Sequence, residues 1–138
     1  KRGTVMIVGI AGNMDFFDIR VMRQAIEDCR YPIEKIITMD YPGVCAMAVE
    51  VAMARRIPFE VLIPDWDNLD VENVEIRRRP KNHPQAGQKY NHRAGINLNT
   101  VFTEKCDAFI LISDLKGSGV SDIIRKINLS KPYWSVRI

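Results

Sequence analysis

Apolar positions along this chain follow two alternating rhythms. Short, unbroken apolar and β-branched runs lie at Thr4–Ile10, Glu34–Met39, Phe59–Ile63, Asp107–Ser113 and Tyr133–Ile138. Between them, apolar residues recur at the three-to-four spacing of a helix: after Asp18 through Ile26, over Gly43–Arg56, over Ala94–Lys105, and from Ser118 to about Asn128. The first rhythm predicts strands buried on both faces and the second predicts helices. Punctuation fits this division. Ala11-Gly12-Asn13 closes the first strand, Asp18 is placed as a helix N-cap, Tyr31-Pro32 stops the first helix, and Pro64-Asp65-Trp66 closes the third strand. Only the stretch from Asp67 to about Asn91 shows neither rhythm. It is rich in Pro, Asn, Gln and basic residues and reads as one long irregular insertion.

Strands that are apolar throughout and alternate with helices predict a parallel sheet covered on both faces. The expected fold is a single α/β domain, a Rossmann-like open parallel five-stranded sheet of order 3-2-1-4-5. That order puts the topological switch between the first and fourth strands. The loops meeting there are Gly12–Asp18, Met39–Gly43 and Asp114–Gly119.

Composition narrows the class without naming a function. The chain has 138 residues, 46% hydrophobic and 27% charged, which suits one globular domain with its own core. No apolar run reaches membrane-helix length, so no membrane partner is expected. The Lys-Arg-Gly start leads into Gly12–Asp18 rather than a signal-peptide core. Three cysteines, Cys29, Cys45 and Cys106, form no close pairs, and His83 and His92 have no cluster of ligands beside them. Reduced thiols, a cytoplasmic setting, and neither a metal site nor a bound cofactor are the expectation. Net charge is only +3, but Arg77, Arg78, Arg79, Lys81, Lys89 and Arg93 fall in a segment without Asp or Glu.

Candidate chemistry concentrates near the C-terminus. The Asp107–Ser113 run empties into Lys116-Gly117-Ser118-Gly119 and then a helix start. Such a turn can hold a phosphate on free backbone N–H groups at the positive end of the helix dipole, or use glycine for geometry alone. Its place at the switch point favours the phosphate reading.

Several segments resemble, in order, the SLOG superfamily, the Rossmann-like group that includes the DprA/Smf and LOG proteins. More narrowly, they resemble its small stand-alone YspA-like members, common in bacteria and phages. The family opening Gly-Ser-Arg-x-Phe-x-Asp is matched at Gly12, Phe16 and Asp18, and its Pro-Ala-Asp-Trp turn resembles Ile63-Pro64-Asp65-Trp66. Its Tyr-Asn-x-x-Ala-Gly-x-x-Arg-Asn segment is matched at Tyr90, Asn91, Ala94, Gly95 and Asn99, and its closing Lys-Gly-Thr-x-Asp-Met at Gly119 and Asp122. Departures are Met14 and Leu98 for two arginines, Val120 for a threonine, and Met39-Asp40-Tyr41-Pro42-Gly43 for a glycine-rich loop. These remove cationic and backbone contacts from a phosphate cradle, and Asp40 would place an anion there.

The resemblance implies a nucleotide, nucleotide sugar or ADP-ribose-like ligand in the crevice. The candidate ligand-binding residues are Gly12, Asn13, Met14, Asp18, Gly43, Asn99, Lys116, Gly117, Ser118 and Gly119. It also implies self-association, for which the apolar helix Gly43–Arg56 could offer a face. Two other readings stand beside this one. The first is an N-glycosidic-bond enzyme of the phosphoribohydrolase or deoxyribosyltransferase type, with Asp122 catalytic; the plain alternative for Asp122 is a carboxylate complementing the helix dipole. The second is an interaction protein with a vestigial pocket, whose Arg77, Arg78, Arg79, Lys81 and Arg93 contact an anionic ligand or macromolecule. Few aromatics interleave those cations beyond Tyr90, which weighs against direct nucleic-acid binding. Asp15 and Asp40 are either paired acids at the crevice or surface turn residues. Trp66 either stacks on a base or seals the core edge.

Overall fold

The computed structural model describes residues 5–127 and 130–138. Thr4 and Asn128, placed at element ends by the sequence pattern, lie outside the described residues. In chain order the elements are β1 (Met6–Gly12), α1 (Ile19–Glu27), β2 (Ile33–Met39), α2 (Val44–Ala54), β3 (Phe59–Leu62), β4 (Ile76–Arg78), β5 (Lys89–Asn91), α3 (Ala94–Lys105), β6 (Ala108–Ser113), α4 (Ser118–Ile127) and β7 (Tyr133–Arg137).

Five strands form one parallel sheet in the order β3-β2-β1-β6-β7. With the short β4–β5 pair set aside, this is the expected 3-2-1-4-5. The period-two alternation of strand side chains sorts the core into two layers. Val8, Ile10, Ile36, Ile110 and Ile112 pack against α1 and α2 through residues such as Met22, Ile26, Met47 and Val51. Ile37, Met39, Phe109 and Leu111 pack with Leu98 and Phe102 of α3 and with Ile123 and Ile127 of α4. Most of the apolar surface of α2 is spent in this way; of its large side chains, Met53 remains exposed. None of the described helices is long and apolar enough to cross a membrane.

Two expectations need correction. The first strand does not stop at Ile10: Ala11 and Gly12 continue it, paired with Leu111 and Ile112 of β6. Glycine makes this possible, since a Cβ at Gly12 would stand 1.9 Å from the Ile112 carbonyl oxygen. The second concerns the insertion, which is not wholly irregular. Ile76–Arg78 and Lys89–Asn91 pair antiparallel, and buried Asn91 anchors their base by accepting from the backbone N–H groups of Glu75 (3.1 Å) and Arg93 (3.0 Å). Strands of three residues carry too little periodicity to be read from sequence.

The expected N-cap is present: the Asp18 carboxylate accepts from the Arg20 backbone N–H at 3.1 Å. All three cysteines are free, and burial pushes the Cys106 thiol up to about 12.

Gly12→Ala should lower stability by about 2 kcal/mol, because the obstructing atom is backbone and cannot rotate away. Urea denaturation read by circular dichroism would measure it.

Candidate functional site

The β1–α1, β2–α2 and β6–α4 loops all leave the sheet at the carboxyl ends of the strands. A cleft of about 500 Å³ opens there, between the first turns of α3 and α4. Two helix stripes line it at i, i+3, i+4, i+7 spacing. His92, Gly95, Ile96 and Asn99 run along α3 and the residues before it; Ser118, Ser121, Asp122 and Arg125 run along α4. Met14, Tyr41 and Trp66 close the side toward the other loops. A Cβ at Gly95 would stand 3.4 Å from the Tyr41 hydroxyl and 3.5 Å from Cη2 of Trp66, so both rings come down over the first turn of α3.

The resulting cleft is two-sided. Met14, Tyr41, Trp66 and Ile96 give it apolar and aromatic surface. Asn99, Ser118, Gly119, Ser121, Asp122 and Arg125 give it polar surface. At the start of α4, Ser118 and Gly119 have no preceding helical turn to accept their backbone N–H groups. Gly119 and Gly117 have open space where a Cβ would stand, so the packing of the protein does not demand glycine at either position.

Asp122 is the most constrained group in the cleft, only 6% exposed. Its Oδ2 accepts from Asn99 Nδ2 at 2.9 Å and from Lys126 Nζ at 2.8 Å, while the Arg125 guanidinium donates to its Oδ1. Burial by itself pushes the carboxyl up. The hydrogen bonds from Lys126 and Asn99, with the positive charges of Lys126 and Arg125, more than offset burial and hold it below the usual carboxylate range. Lys126 also donates to the Ile96 carbonyl at 2.7 Å, so this one cluster ties α4 to α3.

The other sequence-predicted residues separate into distinct places. Gly12 and Gly43 serve the fold. Gly43 has φ 75°, and a Cβ there would stand 2.4 Å from the Asn13 carbonyl oxygen. Asn13 and Lys116 line a neighbouring groove with Asp15, Asp114 and Arg137, on the β7 side of β1. Asn13 spans it, donating to Asp15 at 3.3 Å and accepting from the Asp114 backbone at 3.4 Å. Asp18 is held by its own helix and by the forked guanidinium of Arg20, at 3.0 Å to each carboxylate oxygen. Met14, Asn99, Ser118, Gly119 and Asp122 are therefore the predicted residues that the fold brings together around the cleft.

The basic segment is largely engaged within its own hairpin. Arg77 pairs with Glu75, and Arg78 donates to the Gly87 carbonyl at 2.9 Å. The Arg79 side chain is 9% exposed; it donates to Asp67 at 3.0 Å and to the Lys89 carbonyl at 3.2 Å, and its guanidinium lies 5.3 Å from the centre of the Tyr90 ring. Arg93 is the N-cap of α3, and its Nε is buried with no hydrogen-bond partner among the described residues. Lys81 forms no ion pair among the described residues. The hairpin contributes to the cleft differently, by holding Trp66: Asn91 N–H donates to the Trp66 carbonyl at 2.7 Å, and Tyr90 meets the indole edge-on at 6.2 Å.

Tyr41, His92, Gly95, Ile96, Ser121 and Arg125 line the cleft without having been singled out from the sequence as site residues. The helical spacing from His92 to Asn99 and from Ser118 to Arg125 was the available signal. No protein-family model matches the chain, and comparison with curated proteins finds no match.

Because the folded Asp122 titrates below its unfolded value of about 3.9, its stabilising contribution is present above that value and lost as pH falls through the folded one. Asp122→Asn should cost about 2 kcal/mol at neutral pH. It should also flatten the loss of stability, relative to wild type, on acidification from neutral pH to below the usual carboxylate range. Denaturant midpoints across that range provide the check.

Proposed function

We propose that this protein binds a nucleotide, a nucleotide sugar or an ADP-ribose-like small molecule in the cleft between α3 and α4, as a binding or sensing protein. The observation that carries this reading is the two-sidedness of the cleft at the switch point of a parallel sheet. A ligand with a flat apolar ring and an anionic group complements both sides at once. The ring lies against Trp66, Tyr41 and Met14. The anion lies at the start of α4, on the backbone of Ser118 and Gly119, within reach of Arg125. Arg125 is 74% exposed and uses one nitrogen on Asp122, leaving further N–H donors for an anion. Gly119 then has a reason: without a side chain, the backbone can be approached closely.

The resemblance to the SLOG superfamily supports the same ligand class, and the free thiols fit a cytoplasmic setting. The state of Asp122 favours binding over cleavage. A general acid needs a transferable proton, and a nucleophile needs an oxygen that is free to reach the reacting carbon. Asp122 is held ionised and so has no proton to give, and both its oxygens are tethered by Asn99, Lys126 and Arg125 to the helix walls rather than presented to the open cleft.

Titration calorimetry with AMP and with ADP-ribose tests the reading, using wild type and Gly119→Trp. Binding of at least one ligand by wild type, lost in a Gly119→Trp protein of unchanged circular dichroism, is the expected result. Failure of both ligands to bind at millimolar concentration, or binding untouched by the tryptophan, would overturn it.

A further inference from the structure

The orientation of one side chain in the cleft is fixed by charge. Asn99 is 7% exposed and lines the cleft from α3. A carboxamide in such a position can present either its oxygen or its NH2 to a ligand, and the two ends are nearly the same in shape. Here the choice is made by Asp122. An ionised carboxylate accepts and cannot donate, so only the NH2 of Asn99 can face it. Nδ2 donates to Asp122 Oδ2 at 2.9 Å and lies 3.5 Å from the Gly119 carbonyl, a second acceptor on the same side. Asn99 Oδ1 takes no hydrogen bond among the described residues, and it is not sealed in the core as the Arg93 Nε is.

We infer that Asn99 Oδ1 is a dedicated acceptor that selects ligands carrying an O–H or N–H donor beside the anion, and that Asp122 is a positioning residue that holds it so. This rests on the proposed binding of a nucleotide-like ligand. It assigns Asp122, the residue of greatest chemical interest in the sequence, a part in recognition through another side chain. Lys126 and Arg125 support that part, because their hydrogen bonds and positive charges outweigh the burial that works against the charged form. If Asp122 were neutral, it could donate to Asn99 Oδ1 and the amide could turn over.

In a nucleotide, the donor is either a ribose hydroxyl or an exocyclic base amine. Calorimetry on wild type with AMP, with its dideoxy analogue lacking the ribose hydroxyls, and with purine riboside monophosphate lacking the amine separates the two sources. One analogue should bind about tenfold or more weakly than AMP, because it leaves a desolvated acceptor unpaired. In Asp122→Asn the amide of Asn99 is free to turn, and the difference between that analogue and AMP should shrink to about twofold or less by the same argument. Should Asp122→Asn not fold, Asn99→Ala serves instead and should bind AMP about as weakly as wild type binds the disfavoured analogue. If wild type binds neither AMP nor ADP-ribose, the nucleotide reading itself fails; if it binds ADP-ribose alone, the same comparison is made with the matching ADP-ribose analogues. Equal binding of all three ligands to wild type would overturn the inference alone. Full discrimination retained in Asp122→Asn would remove the positioning role of Asp122.

Discussion

A carboxylate can be kept charged inside a protein only if its surroundings replace the water it has lost. Around Asp122 that replacement is made by two cations of its own helix and one amide of the neighbouring helix. The requirement has structural reach. Lys126 must fold back over α4 and meet the Ile96 carbonyl, Asn99 must turn its NH2 toward α4, and Arg125 must lean along the helix toward its N-terminus. Satisfying this one charge ties α4 to α3 along the wall of the cleft. Hydrophobic contacts below it, Phe102 against Phe109 and Ile123 within the core, supply the bulk of the adhesion between these layers, but they do not specify register as three directed donors do.

Charge is allocated differently in the hairpin. Its arginines are the densest cationic run of the chain, yet Arg79 lies almost buried, bound to Asp67 and stacked near Tyr90, and Arg77 is paired with Glu75. Their effect on the cleft is exerted through Trp66, whose backbone and ring the hairpin holds. A segment that looks from composition like an anion receptor is, in good part, a brace for an aromatic wall.

The fold was legible because its signals are local and repeated: buried apolar runs, helix periodicity and turn residues each pointed to the same parallel sheet. The hairpin escaped because three-residue strands have no period to detect, and because its stability comes from Asn91 and Arg79 reaching across many residues. Among the glycines, sequence could not separate Gly12 and Gly43, required by close backbone contact, from Gly117 and Gly119, which the packing leaves unconstrained. That distinction depends on what stands within a bond length or two of a missing Cβ. Asp122 and Asn99 were both found as candidates, but their relation was not, since it joins residues twenty-three positions apart on two different helices.

The pairing of β1 with β6 has a consequence for how the chain is made. Val8 lies beside Ala108, and Ile7 N–H donates to the Asp107 carboxylate across a separation of 100 residues. As a nascent chain lengthens from its N-terminus, β1, β2 and β3 with α1 and α2 can assemble early, since their contacts are close in sequence. The sheet so formed leaves bare the edge of β1 that β6 will pair and the face where Ile37, Met39 and Leu62 await α3 and α4. Both are covered only when α3, β6 and α4 emerge, and those same elements bring most of the cleft. An apolar sheet is therefore exposed from the completion of β3 until α3, β6 and α4 have emerged, and the cleft comes into being in the same step that covers that sheet.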